Sequence, residues 1–425
     1  MRKIIIVTLL VGIGQTMQAQ NNSELNNLIQ QSFAYFPRIK ELEKAAELGE
    51  MRIDIARTNY LPALSGVASY TYLNPISQKE FPVGPNETQL LKFQPNNNYN
   101  LSVGLTQVIL DFGKAKAQVE KAKSELMTSQ QNIESAKLQL AAQVADIYYS
   151  MIYLKRAAVV QDSVISFYEE NQNIVEGRIK QGDALQIDLS TMRNNIDQEK
   201  NRKVEFLRLY ERQAALMRYT AGQSASPGIT QFDFKTPAAG SIANNPDVLA
   251  AEDRITAARS DLKLAQSNRL PTLNLQGGAG FKNGYQPDIN AFRFNYLAGV
   301  SLGVPIFQGA RINKNATLAS RTMELNELSK ATLTSTLQKD LESTQSDLKA
   351  YDEQIKNAEG QINLSGETVK LTGVRYRQGV VTYLDLINAS TNLQRANLNK
   401  LQYEFQRTLA QVELCRLLGV RFWQE

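Results

Sequence analysis

The sequence predicts a mainly α-helical protein with a small β part, laid out as a tandem internal repeat. Long stretches rich in Gln, Asn, Ala, Ser and Leu run without Pro or Gly, and only 43% of residues are hydrophobic, which suits long helices with narrow apolar stripes. A globular chain of 425 residues would instead form roughly two or three compact domains. Four short runs alternate apolar and polar residues with period two, the pattern of strands. The landmarks also recur: Leu61-Pro62 as Leu270-Pro271, ILDFGKAKA as PIFQGARIN, GRIKQGDALQIDL as GVRYRQGVVTYLDL, and RYTAG as RLLG. Gly113 thus answers to Gly309, Gly182 to Gly379 and Gly222 to Gly419 at an offset that agrees to within one residue, the mark of a duplication.

Residues 1–19 read as a signal peptide, with Arg2 and Lys3, an apolar run from Ile4 to Ile13 and a cut after Ala19. The run is shorter than the roughly 20 residues of a spanning helix, and no later run is long enough, so membrane residence must come from strands. The only cysteine, Cys415, lies far from the cut, so no lipid-modified cysteine follows it and no internal disulfide forms. Histidine is absent, which removes imidazole acid/base chemistry and the commonest metal ligand. No catalytic residue, metal site or cofactor is therefore expected, and the chain is not read as an enzyme. The formal charge of +5 includes Arg2 and Lys3 of the leader; the other cations are interspersed with acids, leaving no nucleic-acid footprint.

The first repeat spans 20–222. Pro62, like Pro271 in the second repeat, ends a helix and aims the chain into a strand, because proline lacks a backbone donor and forces its predecessor extended. Strands are expected at about 64–73 and 98–109, and in the second repeat at about 272–282 and 292–304. In the last of these Phe292, Phe294, Tyr296, Ala298, Val300, Leu302 and Val304 alternate with Arg293, Asn295, Leu297, Gly299, Ser301 and Gly303. The flanking helices are too polar to cover such an apolar face, so lipid is its expected neighbour. Four strands cannot close a barrel, since the smallest single-chain ones have about eight and an open edge is not tolerated in lipid. Copies must associate; a dimer gives the tightest barrel and a trimer a twelve-stranded one with room for a channel. The connecting loops, 74–97 and 283–291, are placed outside the cell.

From Gly113 to Gln181 apolar residues recur at 3-4 spacing, interrupted only at Ser129, through Val119, Ala122, Leu126, Ile133, Ala136, Leu140, Val144, Ile147, Met151 and Leu154, a coiled-coil seam. Leu337, Leu341, Thr344, Leu348, Tyr351, Ile355, Ala358 and Ile362 repeat it. Such a segment, if continuous, reaches on the order of 100 Å. Each helical hairpin turns at a glycine, Gly182 or Gly379, suited to a left-handed helix end. Capping-box spacing follows in Asp183 with Gln186 and in Thr382 with Asp385. Arg178, Lys180, Arg375, Tyr376 and Arg377 approach these turns, and Asp188 and Asp385 lie just beyond. Around an axis such tips could close a pore, select ions or dock a partner. An irregular connector, 223–246, leads to the second repeat at 247–425. The rival reading is a periplasmic coiled-coil scaffold without a pore.

Over nearly the whole mature chain the sequence resembles the TolC-like outer-membrane efflux family. The resemblance is carried by YLPALSG and RLPTLNL before the strands, VPIFQGA after them, RYRQGVVTYLDLINASTNLQRA at the second turn, and their doubled order. It implies a homotrimer whose twelve-stranded barrel in outer-membrane lipid continues into a periplasmic α-barrel of helical hairpins. An inner-membrane transporter would pass substrate to it through a periplasmic adaptor, making it the passive channel of a tripartite efflux or type I secretion system. By that likeness Arg178, Gln181, Gly182 and Leu189, with Arg375, Gln378, Gly379 and Leu386, form the adaptor-docking tip, and Asp188, Asp385 and Asn388 the pore entrance or gate. Asn388 stands where some members carry a further acid, Val381 where a basic gate residue occurs, and Ile109 where the second repeat has Pro305.

Overall fold

A computed structural model describes residues 24–85, 87–227, 232–234 and 240–424. The expected signal peptide, 1–19, and part of the connector lie outside them. Helix α1 (24–35) is followed by α2 (Pro37–Thr58), β1 (Ala63–Tyr72), β2 (Gln78–Gly84), β3 (Glu87–Lys92) and β4 (Asn97–Leu110). Then come α3 (Lys114–Gln181), α4 (Gln186–Ala221), α5 (Pro246–Ser267), β5 (Thr272–Lys282), β6 (Arg293–Gly303), α6 (Arg311–Arg377) and α7 (Tyr383–Leu417). Contacts divide the chain into one unit of residues up to 44, 130–250 and 330–425, and another of 45–129 and 251–329.

The second unit holds the strands. Their order is β1-β4-β5-β6, antiparallel throughout, so the two repeats meet at the β4–β5 pair. Register places Leu64 opposite Leu105, Leu101 opposite Phe281, Leu275 opposite Val300 and Phe281 opposite Phe294 on one face. That apolar face is open: Leu64 is 70% exposed, Tyr296 80% and Leu302 63%. Ser102, Gln276, Asn295 and Ser301 fall on the other face, where Gln276 donates to the Ser301 hydroxyl. A Cβ on Gly280 would lie against the Leu101 carbonyl and 2.5 Å from the Ser102 Cα, so only glycine lets β5 lie this close to β4.

The loop expected at 74–97 contains structure that the sequence reading does not include. β2 and β3 form a separate two-stranded antiparallel sheet. At its base the Leu73 N–H donates to the Asn96 carbonyl at 2.8 Å, and the Asn96 amide donates back to the Leu73 carbonyl at 2.9 Å.

The first unit is helical. Its main core joins Ile29 of α1, Tyr148, Met151 and Ile152 of α3, Met217 of α4, Val412 of α7, and the C-terminal Phe422 and Trp423. The seam positions are the sheltered ones: Leu140, Val144, Ile147, Met151 and Leu154 are buried in α3, as are Leu337, Thr344 and Ala358 in α6. A long side chain every three or four residues turns one helical stripe toward its neighbours and leaves the rest to solvent. Helix α6 is nonetheless thinly covered, with Leu364 69% and Leu371 61% exposed.

Candidate functional site

Two features could carry function: the pair of helical turns in the first unit and the open sheet in the second. Both turns end their helices in the same way. The Gly182 N–H donates to the Ile179 carbonyl and the Asp183 N–H to that of Arg178; Gly379 and Val380 repeat this on Tyr376 and Arg375. This is the Schellman arrangement, and its glycine needs positive φ, here +86° for Gly182 and +75° for Gly379. Gly113, Gly222, Gly309 and Gly419 are left-handed too, so every landmark glycine of the duplication serves the same conformational need.

The next helices start on acids. At α7 the Thr382 N–H and hydroxyl both donate to Asp385 Oδ2, at 2.9 and 2.7 Å, and the Asp385 N–H donates to Thr382 Oγ1. These bonds hold the Asp385 carboxyl below its ordinary value. The matching box expected at Asp183 and Gln186 does not form. Asp183 is consumed in closing α3, and α4 begins after Leu185, whose N–H donates to Asp188 Oδ2 at 3.3 Å. Leucine has no side-chain acceptor, so only half a box is made here. Both acids read as entrance residues therefore also cap helices. Asn388 is exposed on α7.

Arg178 fastens one turn to the other. Its guanidinium donates to the Tyr376 carbonyl at 2.9 Å and to the Asp183 carbonyl at 3.2 Å, and its Cζ sits 5.1 Å from the Tyr376 ring centroid. Tyr376 and Tyr383 are buried with Tyr168, Val175, Met192 and Ile196 in a core of their own. Leu189 and Leu386, expected at the adaptor-docking tip, belong to that core, at 6% and 1% exposure. They face inward because each lies on the apolar stripe of its helix. The outward apolar residues are Leu185, Ile187, Val380 and Leu384, each 64–68% exposed. Gln181, Arg375 and Gln378 are exposed beside them. Apolar side chains rimmed by polar and cationic ones suit protein docking.

A buried polar layer, which no periodicity announces, lies among α3, α4 and α7. The Gln394 amide donates to Gln161 Oε1 at 3.0 Å and to Glu199 Oε2 at 2.7 Å, and Arg202 donates to Glu199 Oε1 at 2.7 Å. Gln161, Gln394 and Glu199 are each no more than 5% exposed. Their spacing on three separate helices gave no local signal.

In the sheet, Pro62 and Pro271 directly precede β1 and β5. Aromatic residues gather where the strands meet the loops. The Tyr70 and Tyr99 rings are 5.2 Å apart, and Phe281 lies 5.7 Å from Phe292 and 5.6 Å from Phe294. An exposed apolar band ending in aromatics is the form of a lipid-facing strand set. Among the described residues both outer strands, β1 and β6, have one unpaired edge.

Residues 28–222 and 240–420 match the sequence profile of the family described as outer membrane efflux protein. The chain is 24% identical over 340 residues to the outer membrane protein OprJ of Pseudomonas aeruginosa, covering 76% of this chain and 70% of that protein. It is 20% identical over 403 residues to the probable efflux pump outer membrane protein TtgC of Pseudomonas putida, covering 91% and 81%. The crystal structure of the outer membrane protein VceC from Vibrio cholerae superposes with a TM-score of 0.79 at 17% identity, covering 94% of this chain and 97% of that one.

Proposed function

The chain belongs to the outer membrane efflux protein family, and from that premise we propose that it forms the passive outer-membrane channel of a tripartite export system. The observation that carries this reading is the four-stranded sheet with an exposed apolar face and, among the described residues, two unpaired edges. In lipid such edges must be closed. Three copies, β6 of each against β1 of the next, give a twelve-stranded barrel wide enough to conduct. The same association would cover the apolar residues of α6, where Leu318 and Leu325, and Leu364 and Leu371, are exposed at seven-residue spacing.

The turns at Gly182 and Gly379 are assigned to the periplasmic adaptor. Leu185, Ile187, Val380 and Leu384 offer apolar contact, with Arg178, Gln181, Arg375 and Gln378 around them, while Leu189 and Leu386 hold the shape beneath. Asp188, Asp385 and Asn388 are assigned to the pore entrance. The adaptor would in turn be served by an inner-membrane transporter that supplies the energy, so the channel itself carries out no reaction. The division into a leader at 1–19, repeats at 20–222 and 247–425 and a connector at 223–246 belongs to the same proposal.

The test is planar-bilayer recording on the purified mature chain, alongside its size in detergent. Discrete conductance steps from a species of three chains are expected. A chain that stays soluble without detergent and produces no steps would replace the channel with a periplasmic scaffold.

A further inference from the structure

Where strands hand over to helices, the second unit carries a groove of about 640 Å³ between the start of α3 and the end of α5. Lys116, Lys263 and Arg269 line it against one carboxylate, Glu120. Glu120 stands 3.9 Å from each lysine ammonium, too far for a tight pair, and the two lysine side chains are 76% and 62% exposed. Among the described residues the Arg269 side chain has no hydrogen bond or ion pair. Asp111, another acid at this junction, is already engaged: its two oxygens accept from the backbone N–H groups of Gly113 and Ala115. The groove is thus a cationic recess whose three positive charges face a single carboxylate.

The surroundings select the kind of anion. Phe112, 49% exposed, and Leu270, 38%, form part of the wall, and Ile109 and Leu110 of β4 are exposed next in sequence to it. A second cavity of about 510 Å³ shares Ser267 and Leu270 and adds Lys114 and Arg311. Tyr60 and Phe307 are exposed at the same strand–helix junctions. Aromatic rings and snorkelling cations at one end of an apolar strand band mark the headgroup level of a bilayer. A free inorganic anion would make no use of the apolar wall.

We propose that this groove binds the phosphate of an anionic glycerophospholipid in the periplasm-facing leaflet, with Lys116, Lys263 and Arg269 on the phosphate and acyl chain along Phe112 and Leu270. The proposal rests on the reading of the chain as an outer-membrane channel. It is tested by delipidating the purified mature protein, adding back phosphatidylglycerol or phosphatidylcholine, and counting retained lipid by native mass spectrometry. The variant Lys263→Gln/Arg269→Gln is compared with Lys79→Gln/Lys92→Gln, which removes the same charge from β2 and β3. Wild type and the latter variant are expected to prefer phosphatidylglycerol, and the groove variant to bind it about thirtyfold more weakly, two interfacial cations being lost. Equal retention of both lipids by wild type, or an undiminished preference in the groove variant, overturns the proposal. Displacement by millimolar inorganic phosphate makes the groove a small-anion site instead. Loss of the three-chain species in the groove variant alone assigns it to contact between chains, and also overturns the lipid site. Bilayer recording on the same preparation separates the two readings. Protein that conducts without lipid preference rejects only the lipid site, whereas protein that neither conducts nor needs detergent rejects the channel and the site with it.

Discussion

Arg178 bonds to backbone carbonyls of two different turns and lies against the ring of Tyr376. A charged hydrogen bond of this kind contributes about 1.5–3 kcal/mol, and the ring contact adds about 0.5–1 kcal/mol at a partly exposed site. Arg178→Ala should therefore speed hydrogen exchange at the amides of 374–386 severalfold and leave exchange in the strands alone; unchanged exchange at Gly379 and Val380 would deny the clamp. Asp146 invites a pH experiment. It is exposed on α3 at a groove lined by Thr344, Tyr351 and Glu413; partial desolvation there, then the Glu413 charge, pushes its carboxyl up to about 6 from an ordinary 3.8. Because the folded value is the higher one, the folded state binds the extra proton, and stability falls as pH rises between those two values. The penalty is absent below 3.8 and complete above about 6. Asp146→Asn should raise the melting temperature at neutral pH and not in acid, and a gain of equal size at both would place the cause elsewhere. Asp385 carries the opposite sign. Its depressed carboxyl supports α7 above the ordinary value of 3.8 and loses that support as pH falls through the folded value.

At the scale of elements, Gly182 has no heavy atom within 4 Å of the place its Cβ would occupy, so the cost of a side chain there is conformational only. Gly182→Ala should destabilise the turn by about 1–2 kcal/mol, and Gly182→Asn by less, since asparagine tolerates left-handed backbone. Limited proteolysis across 178–188 would measure this, and equal cleavage of all three proteins would show that the turn is not under strain. The four long strands were legible because period-two alternation is dictated by one face meeting a different medium. The hairpin of β2 and β3 was not. All its described residues are exposed, so no face sorts them, and Pro82 and Gly84 break what pattern remains. The start of α4 was missed for another reason, although the signal was there. The offset that pairs Gly182 with Gly379 also pairs Leu185 with Thr382 and Asp188 with Asp385, so the repeat itself indicates Leu185, not Asp183, as the first cap. Which leucines of the tip face outward was beyond the sequence, because a spacing of four would put Leu185 and Leu189 on one helical face, whereas Leu185 is the extended residue that precedes α4.

At the scale of the whole molecule, the unpaired edges of β1 and β6 set the prediction. Cysteines scanned through 63–72 and 293–303 should yield at least one pair that cross-links neighbouring copies into a three-chain ladder on a non-reducing gel. The background is low, since Cys415 is buried. If no pair in either register cross-links, the barrel closes some other way. The reciprocal bonds between Leu73 and Asn96 have a practical consequence. They finish the β1–β4 ladder before the chain leaves for the hairpin, so whatever lies between them hangs from a completed base. A foreign peptide spliced at Pro85 would be displayed on that stalk without asking anything of the sheet below.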